Sequence, residues 1–411
     1  MRLHSAGKTQ GVSLPFSARW LVPLLALALH WTTPSWAASS ASRASEEERL
    51  IEIYRLISQS KFREAMPRAE ALVRDRPNFQ LAHLVYADLL EAQVGKGAIE
   101  GRTMPGSPGS PDFAILADLK RESQLRIKAQ LNPPPPGHVP AQFLTLAPSA
   151  RHAMAVDASS SRLYLFENRP SGLTLIDDFY VSLGKSGVAK TLEGDQRTPL
   201  GVYYITSNLD RNSLAEFYGS GALPINYPNP LDTRRGKTGS GIWLHGTPPN
   251  QFARAPLATD GCIVLSNPDL SKLIRTVAVR TTPVVIATKL DWVPAGAAKR
   301  PARDFETALN GWKDAKSSRN SDRLLSFYTE DFNSYGRTLK AWVPVLQAEE
   351  KRLAGRPVQI KDLSYLHWKD DQETMVVTFA ELPEGARTGR TKRQYWTRHG
   401  KDWKIFFEST I

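Results

Sequence analysis

From Glu46 to about Gln93, apolar residues recur at three- and four-residue steps: Leu50, Ile53, Tyr54 and Ile57, then Phe62, Ala65, Ala69 and Leu72. That spacing lines one face of a helix. Pro77 stops one helix and Phe79–Leu90 begins another. Gly95–Pro111, crowded with Gly, Ser and Pro, reads as a loop. A further helix is expected over roughly Phe113–Leu131, ending in Pro133-Pro-Pro-Pro136-Gly137. Successive prolines lack backbone donors and favour extended polyproline II, so a boundary falls there.

Beyond Ser149 the period changes to two. Ala153–Asp157, Arg162–Phe166, Leu173–Val181, Gly201–Ile205, Gly241–Leu244 and Pro283–Ala287 read as strands separated by turn signals such as Asp157-Ala-Ser-Ser-Ser161. From Asp304 the pattern is α+β. Phe305, Leu309 and Trp312, then Leu324, Leu325, Phe327 and Tyr328, mark two helices. Val358–His367, Glu373–Phe379, Arg393–Arg398 and Trp403–Phe407 follow as strands. The expected architecture is multidomain: a signal at 1–37, a helical region at 46–131 and a proline-rich linker at 132–148. A mostly-β domain at 149–289, a second linker at 290–303 and an α+β domain at 304–411 complete it.

A length of 411 residues suits two or three domains, and 41% hydrophobic with 23% charged residues excludes a disordered chain or a membrane bundle. Met1–Trp36 carries Arg2, Lys8 and Arg19 and no acid, followed by the apolar run Trp20–Leu29 and the small-x-small triplet Ser35-Trp-Ala37. This pattern is an export signal cleaved near Ala37, with an uncleaved anchor as the alternative. The run is shorter than the ~20 apolar residues that span a membrane comfortably. Loss of the signal lowers the formal charge from +12 to +9. In an exported, periplasmic chain that excess points to anionic envelope polymers or membrane surfaces, or to a solvated basic surface, not to nucleic acid.

The single cysteine excludes an intramolecular disulfide, a zinc ribbon and an iron–sulfur cluster, no histidine has metal-ligand spacing, so no metal site is expected, and no glycine-rich loop marks a phosphate-bearing cofactor. Cys262 follows Gly261 in Thr259-Asp-Gly-Cys-Ile-Val-Leu265, 17 positions after His245 in Ile242-Trp-Leu-His-Gly-Thr247. A free thiol is only a few per cent ionised at neutral pH, and a nearby imidazole that takes its proton makes it a nucleophile. Gly261 permits a tight turn and leaves its own amide and that of Cys262 to face a developing oxyanion. The bland alternative is a buried small hydrophobe.

His245-Gly-Thr with Thr259-Asp-Gly-Cys262 resembles the active-site signature of the L,D-transpeptidases, the YkuD-type domain. Val156-Asp157 with Arg162–Leu165 resembles that family's opening hairpin, and Gly184 with Arg197–Tyr203 its Thr-Pro-x-Gly turn. Asn267–Leu270 and Val284–Ile286 resemble its closing helix and strand. The likeness covers about Ala150–Ala287. It implies that Cys262 is the acylated nucleophile, His245 its general base and Gly261 an oxyanion donor. Gly246, Thr247, Thr259 and Asp260 would line the substrate site. The implied reaction attacks the diaminopimelate carbonyl of a peptidoglycan tetrapeptide, expels D-alanine, and passes the acyl group to an amine. Water as acceptor would make an L,D-carboxypeptidase, and cleavage of lipoprotein–peptidoglycan links is a further variant.

Two positions depart from the family pattern. Asp260 stands where most members have His, and Val264 where they have Arg or Asn. Arg235, or Arg234, Lys237 or Arg254, would replace the lost carboxylate contact. Leu56, Phe62, Ala65, Ala69 and Pro77 resemble one tetratricopeptide unit, too little for a solenoid. That suits a helical cap, or an arm that meets another envelope protein or a second copy. Ala308–Trp312, Phe327–Phe332, Arg393–Trp396 and Trp403–Ile405 resemble the nuclear transport factor 2-like cone. Its core is expected to be filled by Trp312, Trp342, Trp396 and Trp403, with an open ligand-holding mouth as the alternative. The pairing of these two domains resembles that of L,D-carboxypeptidases that help set helical cell shape. A non-catalytic wall-binding scaffold is the reading from another class.

Overall fold

The computed structural model describes residues 44–94, 111–297, 302–353 and 355–411. The expected export signal and nearly all of the Gly95–Pro111 loop lie outside these residues. Helices α1 (Glu46–Ser58), α2 (Phe62–Asp75), α3 (Gln80–Val94) and α4 (Pro111–Leu131) form the N-terminal region. A capping box starts α1: Ser45 Oγ accepts from the Glu48 amide, and the Glu48 carboxylate accepts from the Ser45 amide. Leu50, Ile53, Leu56, Ala65, Ala69 and Leu72 are buried as the periodicity requires, whereas Phe62 is exposed at the start of α2. The open end of the hairpin is covered by a loop from further along the chain. Phe252 stacks on Phe79 with ring centroids 4.2 Å apart, its amide donates to Asn78 O, and Asn78 Nδ2 donates to Pro249 O.

The next segment contains β1 (His138–Pro140) and β2 (Phe143–Thr145), then β3 (His152–Asp157), β4 (Arg162–Arg169), β5 (Gly172–Tyr180), β6 (Leu183–Gly184) and β7 (Gly201–Tyr204). After β8 (Ala222–Pro224) and α5 (Pro230–Arg234) come β9 (Trp243–His245), β10 (Leu257–Thr259), β11 (Ile263–Val264), α6 (Asn267–Thr276), β12 (Pro283–Ala287) and β13 (Trp292–Pro294). The main sheet has the order β5-β4-β3-β12-β7, with only β3 and β12 parallel. Alternation divides its residues between two cores. Met154, Val156, Leu163, Leu165, Val284 and Ile286 face the core that also holds Leu244, Ile263 and Leu270. Ala153, Ala155, Tyr164, Phe166, Val285 and Ala287 face the other way, onto the C-terminal domain.

That domain comprises α7 (Ala302–Ser317), α8 (Ser321–Leu325), the hairpin β14 (Asn333–Ser334) and β15 (Arg337–Thr338), α9 (Leu339–Leu353), and β16 (Val358–Lys369), β17 (Glu373–Pro383), β18 (Arg390–His399) and β19 (Asp402–Thr410). Its sheet offers Leu366, Trp368, Val376, Tyr395 and Phe407 to the main sheet. The other face closes over Phe305 and the four tryptophans 312, 342, 396 and 403, all buried, so the cone core is filled as expected. Among these apolar residues sits an ionic cluster absent from the sequence reading. Lys316 and Lys392 both reach Glu349, at 2.7 and 2.5 Å, and Lys392 reaches Glu408 at 2.6 Å.

The expected linkers at 132–148 and 290–303 are corrected by the structure: both carry strands. In them β1 pairs antiparallel with β13, placing Val139 opposite Val293. β2 extends the C-terminal sheet against β16, giving the order β19-β18-β17-β16-β2.

Buried charges bind the helices to the main sheet. Glu47 of α1 accepts from Arg162 of β4 at 2.7 Å and from Arg126 of α4 at 2.9 Å. Arg126 also pairs with Glu122 at 2.8 Å and lies 3.9 Å over the Tyr180 ring. Burial alone would raise the Glu47 carboxyl; Arg126 and Arg162 outweigh it and hold it below its ordinary value. A depressed carboxyl contributes stability that is complete above its unfolded value, near pH 4.5, and is lost as the pH falls through the folded value. Glu47→Ala leaves two buried guanidinium groups without their shared partner. Urea unfolding at pH 7 should show a loss of about 3–5 kcal/mol, shrinking as the pH falls below 4.5 and through the folded value.

Candidate active site

Parallel pairing of β9 with β11 sets Leu244 opposite Ile263 and His245 opposite Val264. Registered neighbours in a sheet project to one face, and alternate residues return to it. Cys262, two positions before Val264, therefore shares the His245 face. The Trp243 amide hydrogen-bonds the thiol, and Sγ lies 3.5 Å from Gly241 O. The turn before the cysteine must be glycine: Gly261 has φ +124°, and a Cβ there would lie 2.7 Å from Arg197 O.

His245 is buried, with Nδ1 2.8 Å from Gly246 O. A carbonyl only accepts, so Nδ1 carries the proton and Nε2 is the basic nitrogen. Tyr218 meets the imidazole edge-on at 5.1 Å and lies tilted against the Trp243 ring at 5.0 Å, and Phe217 lies 5.7 Å from the imidazole. Burial, helped by Arg254 and opposed by Gly246 O, pushes His245 down to about 4. Burial, reinforced by Asp260 and opposed by the Trp243 amide, Arg254 and Lys190, pushes the Cys262 thiol up. At neutral pH these shifts leave Cys262 as a thiol and His245 as a neutral imidazole, the protonation states that the expected roles of nucleophile and general base require.

Several residues expected at the site do other work. Thr259 Oγ1 donates to Cys262 O at 2.7 Å and accepts from the Gly261 amide at 3.1 Å. Thr259 therefore shapes the cysteine turn, and the Gly261 amide, expected in the oxyanion hole, is already engaged. Thr247 is fully buried and donates to Gln251 O, tying down the 248–252 loop and leaving nothing for substrate. Asp260 points outward to Lys185 and Gln196, not to His245. Arg235 makes two 2.6 Å bonds to Asp370 in the C-terminal domain, so it is an interdomain clasp. Arg234 is paired in the same way with Asp331, and Lys237 with buried Asp232.

Gly246 keeps its place beside the histidine, for a packing reason. A Cβ there would meet Asn267 Oδ1 at 2.1 Å. Asn267, at the start of α6, accepts from the Ser220 amide and donates to Thr247 O, both at 2.8 Å. It clamps the Phe217–Ser220 segment to the strand end carrying His245. Asn267 and the aromatic residues Phe217, Tyr218 and Trp243 were not assigned to the site from sequence. The signal was Phe217-Tyr218 abutting Gly219-Ser-Gly221, an aromatic pair where the backbone bends sharply. Among the described residues, no group of three His, Cys, Asp or Glu side chains converges as a metal site.

This site lies within residues 151–286, which match the family model of the L,D-transpeptidase catalytic domain, called YkuD. Residues 304–409 match the Cds6 C-terminal NTF2-like domain. The chain therefore carries an L,D-transpeptidase catalytic domain followed by an NTF2-like domain. The structure of Bd1075 from Bdellovibrio bacteriovorus shares the fold, with 24% identity, a TM-score of 0.55, and coverage of 67% of this chain and 98% of that one. The helical cell shape determining protein Pgp2 from Campylobacter jejuni shares it at 21% identity and a TM-score of 0.50, covering 70% of this chain and 99% of that one. No curated protein matches the chain.

Two measurements check this geometry. Iodoacetamide alkylation of Cys262 should rise steadily from pH 5 to 9 without the acidic plateau that a thiolate–imidazolium pair produces; such a plateau would refute the neutral pair. Gly261→Ala, which displaces the cysteine turn, should reduce turnover about 100-fold or more while the fold survives by circular dichroism.

Proposed function

We propose that the protein is a periplasmic cysteine enzyme acting on peptidoglycan stem peptides, and an L,D-transpeptidase in its net reaction. The observation that carries this reading is Cys262 on the same sheet face as a buried, neutral His245 with a capped Nδ1, inside an L,D-transpeptidase catalytic domain. The export pattern at 1–37 and the peptidoglycan substrate of such domains support the location. Among the described residues no helix is long and apolar enough to cross a membrane.

As Sγ attacks the diaminopimelate carbonyl of a tetrapeptide, His245 Nε2 takes the thiol proton. The Cys262 amide is the member of the expected oxyanion pair to which the new charge turns. Collapse breaks the amide bond, His245 returns the proton to the departing D-alanine nitrogen, and a thioester remains on Cys262. An incoming neutral amine then attacks the thioester carbonyl, the C–S bond breaks as the new amide forms, and the proton lost by the amine passes through His245 to the sulfur, regenerating the thiol.

Hydrolysis of the same thioester is the second reading. It is favoured by the fold shared with the Campylobacter protein whose name ties it to helical cell shape. Both readings place the enzyme in wall remodelling and cell shape.

Incubation of the mature protein with tetrapeptide muropeptides, followed by mass spectrometry, separates them. Cross-linked dimers or exchange with added D-amino acids establish transfer. Tripeptide alone establishes a carboxypeptidase. Product formation undiminished in Cys262→Ala would overturn both.

A further inference from the structure

The N-terminal helices and the 248–258 loop enclose a cleft of about 470 Å³. Ile115 and Leu119 of α4 form one wall together with two carboxylates, Asp118 and the Arg126-bound Glu122; Ala253 and Ala255 form the other, and Phe217 and Arg254 stand at the end nearest His245. Phe217 touches the His245 ring, and the charge of Arg254 acts on both His245 and Cys262.

Arg254 differs from the cations around it. Lys185, Lys190, Arg234, Arg235 and Lys237 each have a carboxylate within 3.0 Å. Arg254 has no ion-pair partner among the described residues, and its Nε is buried without an acceptor. Buried donors are rarely left so, and a guanidinium offers the fork that carboxylates fit. Stacking 4.3 Å over Phe217 fixes the plane of that fork before any ligand arrives. The wall residues beside it are alanines, which leave the space open.

We propose that this cleft seats the residue on the leaving side of the scissile bond, and that Arg254 holds that residue's free carboxylate. The inference rests on the stem-peptide reading above and adds how the peptide end is recognised. A carboxylate close to the scissile amide exists only where a single residue follows it, so the enzyme acts on peptide ends and disfavours blocked or internal sites. The cation comes from a loop because Val264, where the family carries Arg or Asn, is buried in the core. The helices, which lie outside both matched domains, thereby become part of the specificity apparatus: Asn78 and Phe79 hold the loop that presents Arg254.

The test compares a tetrapeptide stem with its C-terminal carboxamide, following release of D-alanine or D-alaninamide by the mature protein. Wild type should favour the free acid about 10- to 100-fold in kcat/KM, the worth of one charge-assisted contact. Arg254→Gln should bring the acid-to-amide ratio of kcat/KM close to one, the loss falling chiefly on KM for the free acid; Arg254→Lys should restore part of the ratio. Equal use of both substrates by wild type, or an equal loss on both in Arg254→Gln, overturns the inference while leaving the stem-peptide reading intact. Failure to release either product overturns that reading itself. Ile115→Trp, on the exposed side of α4, should raise KM for the free acid at least fivefold with kcat unchanged. An unaltered KM would remove the helices from the site.

Discussion

The main sheet has no free face, and the rest of the structure follows from that. Met154 and Val156 turn to one core while Ala153 and Ala155 turn to the other. A one-residue slip in register would exchange the two sets and leave both cores wrongly filled. The side holding Met154 continues through Leu244 and Ile263, the residues whose pairing positions His245 and Cys262. The opposite side is covered by the NTF2-like sheet. The second domain is thus a structural half of the catalytic one, and the Arg235–Asp370 and Arg234–Asp331 pairs reinforce their joint edge.

Chemistry at the site depends on burial more than on charge pairing. A backbone carbonyl fixes the His245 tautomer where many cysteine enzymes use an acidic or amide side chain, and aromatic rings keep water from the ring. The imidazole stays neutral and available as a base. The thiol, also desolvated, waits as a thiol. Small polar side chains preserve this geometry: Thr259 braces the cysteine turn and Asn267 clamps the histidine strand to the aromatic segment.

Much of this was legible in the sequence wherever a local period encodes the element. The strands containing Ala153–Asp157, Arg162–Phe166 and Pro283–Ala287 are short, largely apolar runs bounded by turn signals and buried on both faces, and the helical face from Leu50 to Leu72 is nearly complete, with Phe62 the exception. The Cys262 and His245 motifs stood out because glycine beside each restricts what the backbone can do. The linkers misled because β1 and β2 are three residues long, flanked by prolines, and defined by partners far along the chain. Helix α9 was missed because Pro344 interrupts its interior and masks the periodicity. Loop arginines were interchangeable on paper. Arg235 differs from Arg254 only because Asp370 lies across the fold to take its charge, a fact no local pattern holds.

The strand β2 carries a consequence for how the chain is made. Its neighbour Ala147 donates to Ser364 Oγ, 217 residues later, and β2 itself completes the sheet of the last domain. In a chain synthesised from its N-terminus, this edge emerges before the catalytic domain and stays unpaired until the C-terminal hairpins arrive. The final strands of the protein are therefore the closing event for a sheet begun before its active site exists. A premature stop anywhere in the last domain would leave an early edge strand and a bare apolar sheet face exposed together, the combination that most invites aggregation.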